Sequence, residues 1–168
     1  MSEEGCVSAL RVMNGLKAEG AIEDYAVGGG IAVLRYTEPF LTQDLDLFVV
    51  VEQTGGLAVL TTIYNRFREL GHAWHRDYLV VGGVPVQFIA ADVLEAEAIK
   101  NAAHTRFLGV PTKVFTPEYL IAILVRAGRQ KDRIKVHMLL EQTRVNKVIL
   151  YDVLARYRLT SKFEELAP

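Results

Sequence analysis

Cysteine is nearly absent from this sequence: Cys6 stands alone among 168 residues. One thiol excludes an intrachain disulfide and a thiolate metal cluster, and it fits a reducing compartment such as the cytoplasm. Charge of one sign is also scarce. The 19 basic and 20 acidic residues leave a net charge of -1, so there is no bulk attraction to nucleic acid or to an anionic membrane. No window is long and apolar enough for a membrane span, and the acidic start MSEEGCVSALRV lacks the basic region that opens a secretion signal. These absences predict a soluble, cytoplasmic protein. Repeats, low-complexity tracts and linkers are missing too, and 51% of the residues are apolar, enough for one compact core. The four histidines, His72, His75, His104 and His137, show no metal-ligand spacing. No Ser-His-Asp or Cys-His arrangement is visible either.

Against that background the chain shows regular alternation. Cys6, Ala9, Leu10, Met13 and Leu16 share one face of a helix from Glu3 to about Lys17, with Gly20 as its stop. Tyr25 to Val27 reads as a short strand entering Gly28-Gly29-Gly30, and a helix over Ile31 to Tyr36 opens from those glycines. Asp44 to Val51 reads as a strand and Leu57 to Leu70 as an amphipathic helix closed by Gly71. In DYLVVGGVPVQFIA, Gly82-Gly83 separates two β-rich runs as a tight hairpin, which pairs Val81 with Val84 and puts Asp77 and Gln87 on opposite faces. Asp92 and Glu95 form a capping-box pattern for a helix from Leu94 to Ala102. Val110 to Phe115 reads as the final strand, and Thr116-Pro117 starts a helical tail interrupted at Gly128. The expected fold class is α+β: a mixed sheet flanked by helices over residues 1–116, with a helical region over 117–168 packed on it.

The two aspartates in QDLDLFVV are the chemical puzzle. Residues two apart on a strand face the same side, with Cα atoms roughly 6.5–7 Å apart. Asp44 and Asp46 therefore project together while Leu45 and Leu47 point to the core. Two carboxylates this close on a half-buried strand repel, unless one takes a proton or a cation lies between them. A hard divalent ion such as Mg²⁺ or Mn²⁺ suits oxygen ligands, and Mg²⁺ commonly combines one or two carboxylates with substrate phosphates. The glycine turn adds backbone that can approach a phosphate without side-chain bulk. Taken singly, the acidic pair also fits an exposed strand end and the glycines an ordinary turn.

In their order, however, Gly28-Gly29, a short helix, Thr42 and then Asp44-Leu45-Asp46 followed by Leu-Phe-Val-Val resemble the signature of the DNA polymerase β-like nucleotidyltransferase superfamily. The AbiEii-type branch, named from abortive-infection and toxin-antitoxin systems, is the nearest in pattern, because GRQKDR, Gly128 to Arg133, is similar to its Lys-Asp helix. The resemblance spans roughly Tyr25 to His137. It implies two-metal transfer of a nucleoside monophosphate from an NTP to a hydroxyl acceptor, which could be tRNA, a protein or a small molecule. An antitoxin-like partner is implied as well. Carried over by position, Gly28 and Gly29 would hold the triphosphate, Thr42 would steady the loop or touch a phosphate, Asp44 and Asp46 would ligate Mg²⁺, and Lys131 would bind phosphate.

One position departs from the pattern. The family's third carboxylate falls at the centre of Val86-Gln87-Phe88, where Gln87 offers only an amide oxygen as a weak metal ligand and no site for a proton. Asp77 points away by the hairpin register, and Asp92 is a helix cap. His75 is one candidate base supplied from elsewhere. Two classes of function stay open: a working nucleotidyltransferase with an altered metal site, and a non-catalytic relative that binds a nucleotide or a protein through the same cleft. Arg126, Arg129 and Arg133 are expected to share one helical face, and Trp74 and Phe67 are expected in the core.

Overall fold

The computed structural model describes residues 2–50, 56–75 and 78–166. Helices α1 (Glu3–Ala18), α2 (Gly29–Leu34), α3 (Gly56–Glu69), α4 (Val93–Lys100), α5 (Pro117–Ala127), α6 (Gln130–Gln142), α7 (Lys147–Arg156) and α8 (Thr160–Glu164) surround one seven-stranded sheet. Its strands are β1 (Tyr25–Val27), β2 (Leu45–Val49), β3 (Trp74–His75), β4 (Tyr78–Val81), β5 (Val84–Ala90), β6 (Ala103–Phe107) and β7 (Val110–Val114), in the spatial order β3-β4-β5-β2-β1-β7-β6. The β2–β5 and β1–β7 pairs are parallel and the rest antiparallel, so the sheet is mixed, as the α+β expectation requires.

The periodicity of the sequence accounts for the layers. On α1, Cys6, Ala9, Leu10, Met13 and Leu16 are all buried, and α1 and α3 cover one face of the sheet. That face receives the alternate residues Leu45, Leu47 and Val49 of β2 and Val86 and Phe88 of β5. Phe67 of α3 is fully buried against Phe88 at 5.2 Å, as expected, whereas Trp74 is 50% exposed and packs in a tilted arrangement on Tyr64 at 4.6 Å. Trp74 lies on the two-residue strand β3 at the edge of the sheet, where both residues are exposed. On the opposite face α2, α4 and α5 pack together, and α6, α7 and α8 extend this layer through α5.

The hairpin forms in the predicted register, Val81 opposite Val84; the expectation for Asp77 lies outside the described residues. Strand β2 begins at Leu45, so Asp44 is the last loop residue rather than the first of the strand, and the predicted end at Val51 also lies outside the described residues. Val110–Val114 is only half of a hairpin, because Ala103–Phe107 pairs with it through a tight turn at Leu108-Gly109, both at positive φ. Asp92 caps α4, accepting from the N–H groups of Leu94 and Glu95. Glu95 does not close the box: its side chain is buried and turns to Arg126. The Thr116 side chain likewise makes no cap bond, leaving Pro117 as the start signal for α5.

Candidate functional site

β2 occupies the centre of the sheet, with β1 on one side and β5 on the other. β1 runs antiparallel to it, Val27 facing Leu47, so the glycine turn after β1 arrives beside the start of β2. The turn is fastened there by a hydrogen bond from the Gly28 N–H to the Asp46 carbonyl at 3.0 Å. Each of the three glycines then meets a different neighbour. A side chain at Gly28 would strike the Phe48 ring, one at Gly29 would strike the Asp46 carboxylate, and one at Gly30 would strike the Thr42 hydroxyl. Gly29 also has φ +58°, a backbone conformation that disfavours any side chain. The Gly28 N–H is thus committed to the Asp46 carbonyl, and the Phe48 ring closes on the same glycine. Gly29 is the glycine that reaches the cleft.

Asp44 and Asp46 flank Leu45 and both face a cleft between the sheet and the α5–α6 corner. The Thr42 hydroxyl donates to Asp44 Oδ1 at 3.3 Å, which orients that carboxylate from within the loop. At Asp46 desolvation, with the charge of Asp44 beside it, pushes the carboxyl up to about 6. Lys135, Arg129 and Lys131 oppose that rise from across the cleft. Parallel pairing of β2 with β5 sets Gln87 directly beside Asp46.

The cleft has two lobes. The inner lobe, about 160 Å³, lies between Gly29, Asp44, Asp46 and Phe48 on the sheet side and Leu120, Leu124 and Arg129 on the helical side. The outer lobe, about 460 Å³, opens between the Phe40–Asp44 loop, the β4–β5 hairpin and α6. Asp44, Gln87, Lys131 and Lys135 border both. Gly29, Asp44, Asp46, Gln87 and Lys131 are thus brought together, with Thr42 behind Asp44, while His75 stays on the outer strand, stacked on Tyr78 at 6.2 Å.

The basic cluster is reorganised relative to the sequence expectation. Gly128 adopts a left-handed conformation and breaks the helix, so Arg126 and Arg129 do not share a face. Arg126 pairs with Asp92 at 2.7 Å and with the buried Glu95 on α4. Asp132, fully buried, takes the Arg129 guanidinium at 2.6 Å. Neither Lys131 nor Lys135 has an ion-pair partner among the described residues. Lys135, one of the basic residues clustered around Gly128 in the sequence, joins Lys131 in the cleft; their i, i+4 spacing puts both on one helical face.

No family model matches the sequence, and no curated protein matches it. Solved structures do share the fold. A nucleotidyltransferase-like antigenic protein from Paracoccidioides brasiliensis superposes with a TM-score of 0.56 at 18% identity, over 97% of this chain and 93% of that one. The antibiotic-resistance factor ANT(2'')-Ia in solution gives 0.57 at 16% identity, over 98% and 97%. Its crystal structure with adenylyl-2''-tobramycin gives 0.53 at 17% identity, over 90% and 98%. This chain therefore has a nucleotidyltransferase-like fold across nearly its whole described length.

Proposed function

We propose that this protein transfers a nucleoside monophosphate from an NTP to a hydroxyl acceptor. The observation that carries the proposal is the convergence of Asp44 and Asp46, beside the close-packed Gly29, opposite three cationic side chains from the α5–α6 region. Such a cleft is charged for a polyphosphate accompanied by a cation. Desolvation, and after it the charge of Asp44, raises the Asp46 carboxyl against the opposing pull of Lys135, Arg129 and Lys131, which favours a cation beside the pair. Asp44 and Asp46, with the Gln87 amide oxygen, fit one Mg²⁺ or Mn²⁺ ion; among the described residues no third carboxylate is present for a second. When bound, the ion would supply polarisation of the phosphoryl oxygens and offset developing charge.

The chain's own residues take the remaining roles. Gly29 lets the polyphosphate approach the sheet, Thr42 holds Asp44, and Lys131, Lys135 and Arg129 neutralise the phosphates. The acceptor oxygen bonds to the α-phosphorus, the bond from that phosphorus to the bridging oxygen breaks, and pyrophosphate leaves. The acceptor proton has Asp44 and Asp46 as its carboxylate destinations in the cleft, because Gln87 cannot take it. One structural neighbour is described with an adenylylated hydroxyl compound, adenylyl-2''-tobramycin, which supports this reaction class.

A second reading has its own observation. Gln87 beside Asp46 removes an acid from the centre of the site, which favours a protein that binds a nucleotide or a protein partner without turnover. The narrower AbiEii-type assignment, with an abortive-infection or toxin-antitoxin role and an antitoxin-like partner in the cytoplasm, is supported by the Gly-Gly turn, Thr42 and Lys131-Asp132. Melting the wild type and Asp46→Asn with each of the four NTPs, with and without Mg²⁺, tests the site, since a ligand of the native state raises the melting temperature. A Mg²⁺-dependent rise confined to wild type is expected, and labelled transfer then separates enzyme from binder. No rise with any NTP would refute both nucleotide readings.

A further inference from the structure

A second cavity, about 710 Å³ and larger than either lobe of the cleft, lies between α1 and the β6–β7 hairpin. Lys17 of α1, Asp24 and Tyr25 at the entry to β1, Arg106 of β6 and Lys113 of β7 line it, and none of them borders the cleft. Asp24 and Gly28 stand at opposite ends of β1, roughly 13 Å apart along the strand. The Asp24 carboxylate accepts from Lys17 Nζ at 2.6 Å, Lys113 Nζ at 2.8 Å and the Tyr25 N–H at 2.9 Å, which ties α1, β1 and β7 together. That stitch leaves charge over. Lys17, Lys113 and Arg106 are permanent cations, and Asp24 is the one carboxylate among the lining residues. Glu19 is taken by Arg66, and the exposed Glu23 does not border the cavity. The Lys113 side chain is 10% exposed, yet among the described residues its ammonium uses one donor of three, on Asp24. A nearly buried cation with donors to spare beside an open cavity is placed for an anion.

We propose that this cavity binds the phosphate monoester of a small organic molecule, at a site separate from the nucleotide cleft. The proposal does not depend on nucleotidyl transfer. Three cations against the Asp24 carboxylate leave a balance of two positive charges, and a monoester near neutral pH carries about −1.5 to −2. A carboxylate monoanion would meet only half of that balance. Arg106 stands exposed on the edge strand, where its Nη1 donates to the Gly109 carbonyl at 2.9 Å and the rest of its fork has no partner among the described residues. A planar guanidinium fork matches phosphate oxygens. The volume exceeds what one phosphate fills, and Asn14, Thr105 and the exposed Pro111 line the remainder, which gives room to an organic group.

The test titrates phenyl phosphate, inorganic phosphate and benzoate into the whole protein at low salt and slightly alkaline pH, read by amide NMR shifts. Mg²⁺ is left out, so that the acidic pair of the cleft opposes an anion there. Phenyl phosphate should bind tightest, on the order of tenfold over benzoate, with shifts centred on Thr105, Arg106 and Lys113 and not on Gly29 or Lys131. Lys17→Met and Arg106→Met, both at exposed residues, should each weaken it on the order of tenfold while the protein still melts as a folded domain. Lys131→Met, in the cleft, should leave it unchanged. Absence of a saturable shift, shifts centred on Gly29 and Lys131, lost binding in Lys131→Met, benzoate as tight as the ester, or full affinity in both Lys17→Met and Arg106→Met would overturn the proposal. Inorganic phosphate binding as tightly as phenyl phosphate would overturn the assignment to an ester.

Discussion

Asp46→Asn should stabilise the metal-free protein, and by an amount that depends on pH. Folding raises this carboxyl from an ordinary 3.8 to about 6, so the native state holds its proton more tightly than the unfolded chain. Stability from this residue is therefore greatest at low pH and is lost as pH rises through the interval between 3.8 and 6. At about 1.4 kcal/mol per pH unit, the full loss is about 3 kcal/mol at pH 8 and falls below about 1 kcal/mol near pH 4. An asparagine keeps the shape and does not ionise. Urea denaturation in EDTA, run on both proteins at pH 8 and pH 4, should show the variant about 1–3 kcal/mol more stable at the higher pH and within about 1 kcal/mol at the lower. A destabilised variant at pH 8, or a gain of the same size at both pH values, would refute the account of a carboxylate desolvated in the cleft beside the like charge of Asp44.

Gly29→Ala should lose Mg²⁺-dependent NTP binding and also about 1–2 kcal/mol of stability from the left-handed backbone alone, read by thermal shift and urea melts. Gln87→Asp places a third carboxylate beside Asp46; metal-free stability at pH 8 should fall and Mn²⁺ affinity should rise, measured by calorimetric titration. Lys131→Met should weaken ATP binding by roughly tenfold with the fold unchanged, since Lys131 is exposed and has no ion-pair partner among the described residues. Glu97 receives the Arg156 guanidinium at 2.6 and 2.7 Å and the hydroxyls of Tyr119 and Tyr157, which pull its carboxyl down to about 2. Because that value is depressed, its contribution is present above pH 4.5 and disappears as pH falls towards 2; Glu97→Gln should cost about 1–2 kcal/mol at pH 7, discounted for partial exposure, and almost nothing at pH 2 in denaturation curves.

What the sequence made legible follows from local signals strong enough to survive folding. The face of α1 and the Gly82-Gly83 hairpin were set by periodicity and turn chemistry; the pairing of Gln87 with Asp46 was not, because it joins strands about forty residues apart. β6 escaped because AHTRF is an edge strand whose side chains are mostly exposed, and because its turn uses Leu108-Gly109 in place of the usual Asn-Gly or Gly-Gly. Glu95 escaped as a cap because Arg126, distant in sequence, competes for it. In the candidate site, the acidic pair, Thr42 and Lys131 were local enough to find. The place of Lys135 depends on how α6 lies across the sheet, and the loss of the Gly28 N–H depends on a bond to the neighbouring strand; neither is written in a motif.

The two halves of the cleft are anchored differently. Asp46 sits on a strand hydrogen-bonded along both edges in the middle of the sheet, so its position can change only if the domain itself opens. Lys131 and Lys135 ride on a helix joined to α5 through a single left-handed corner at Gly128, beside which Lys162 of α8 grips the Arg126 carbonyl at 2.6 Å. The acidic pair thus stands on the sheet and the lysines on a helix that packs on α5, so a substitution at the Gly128 corner would displace the cations while leaving the carboxylates in place.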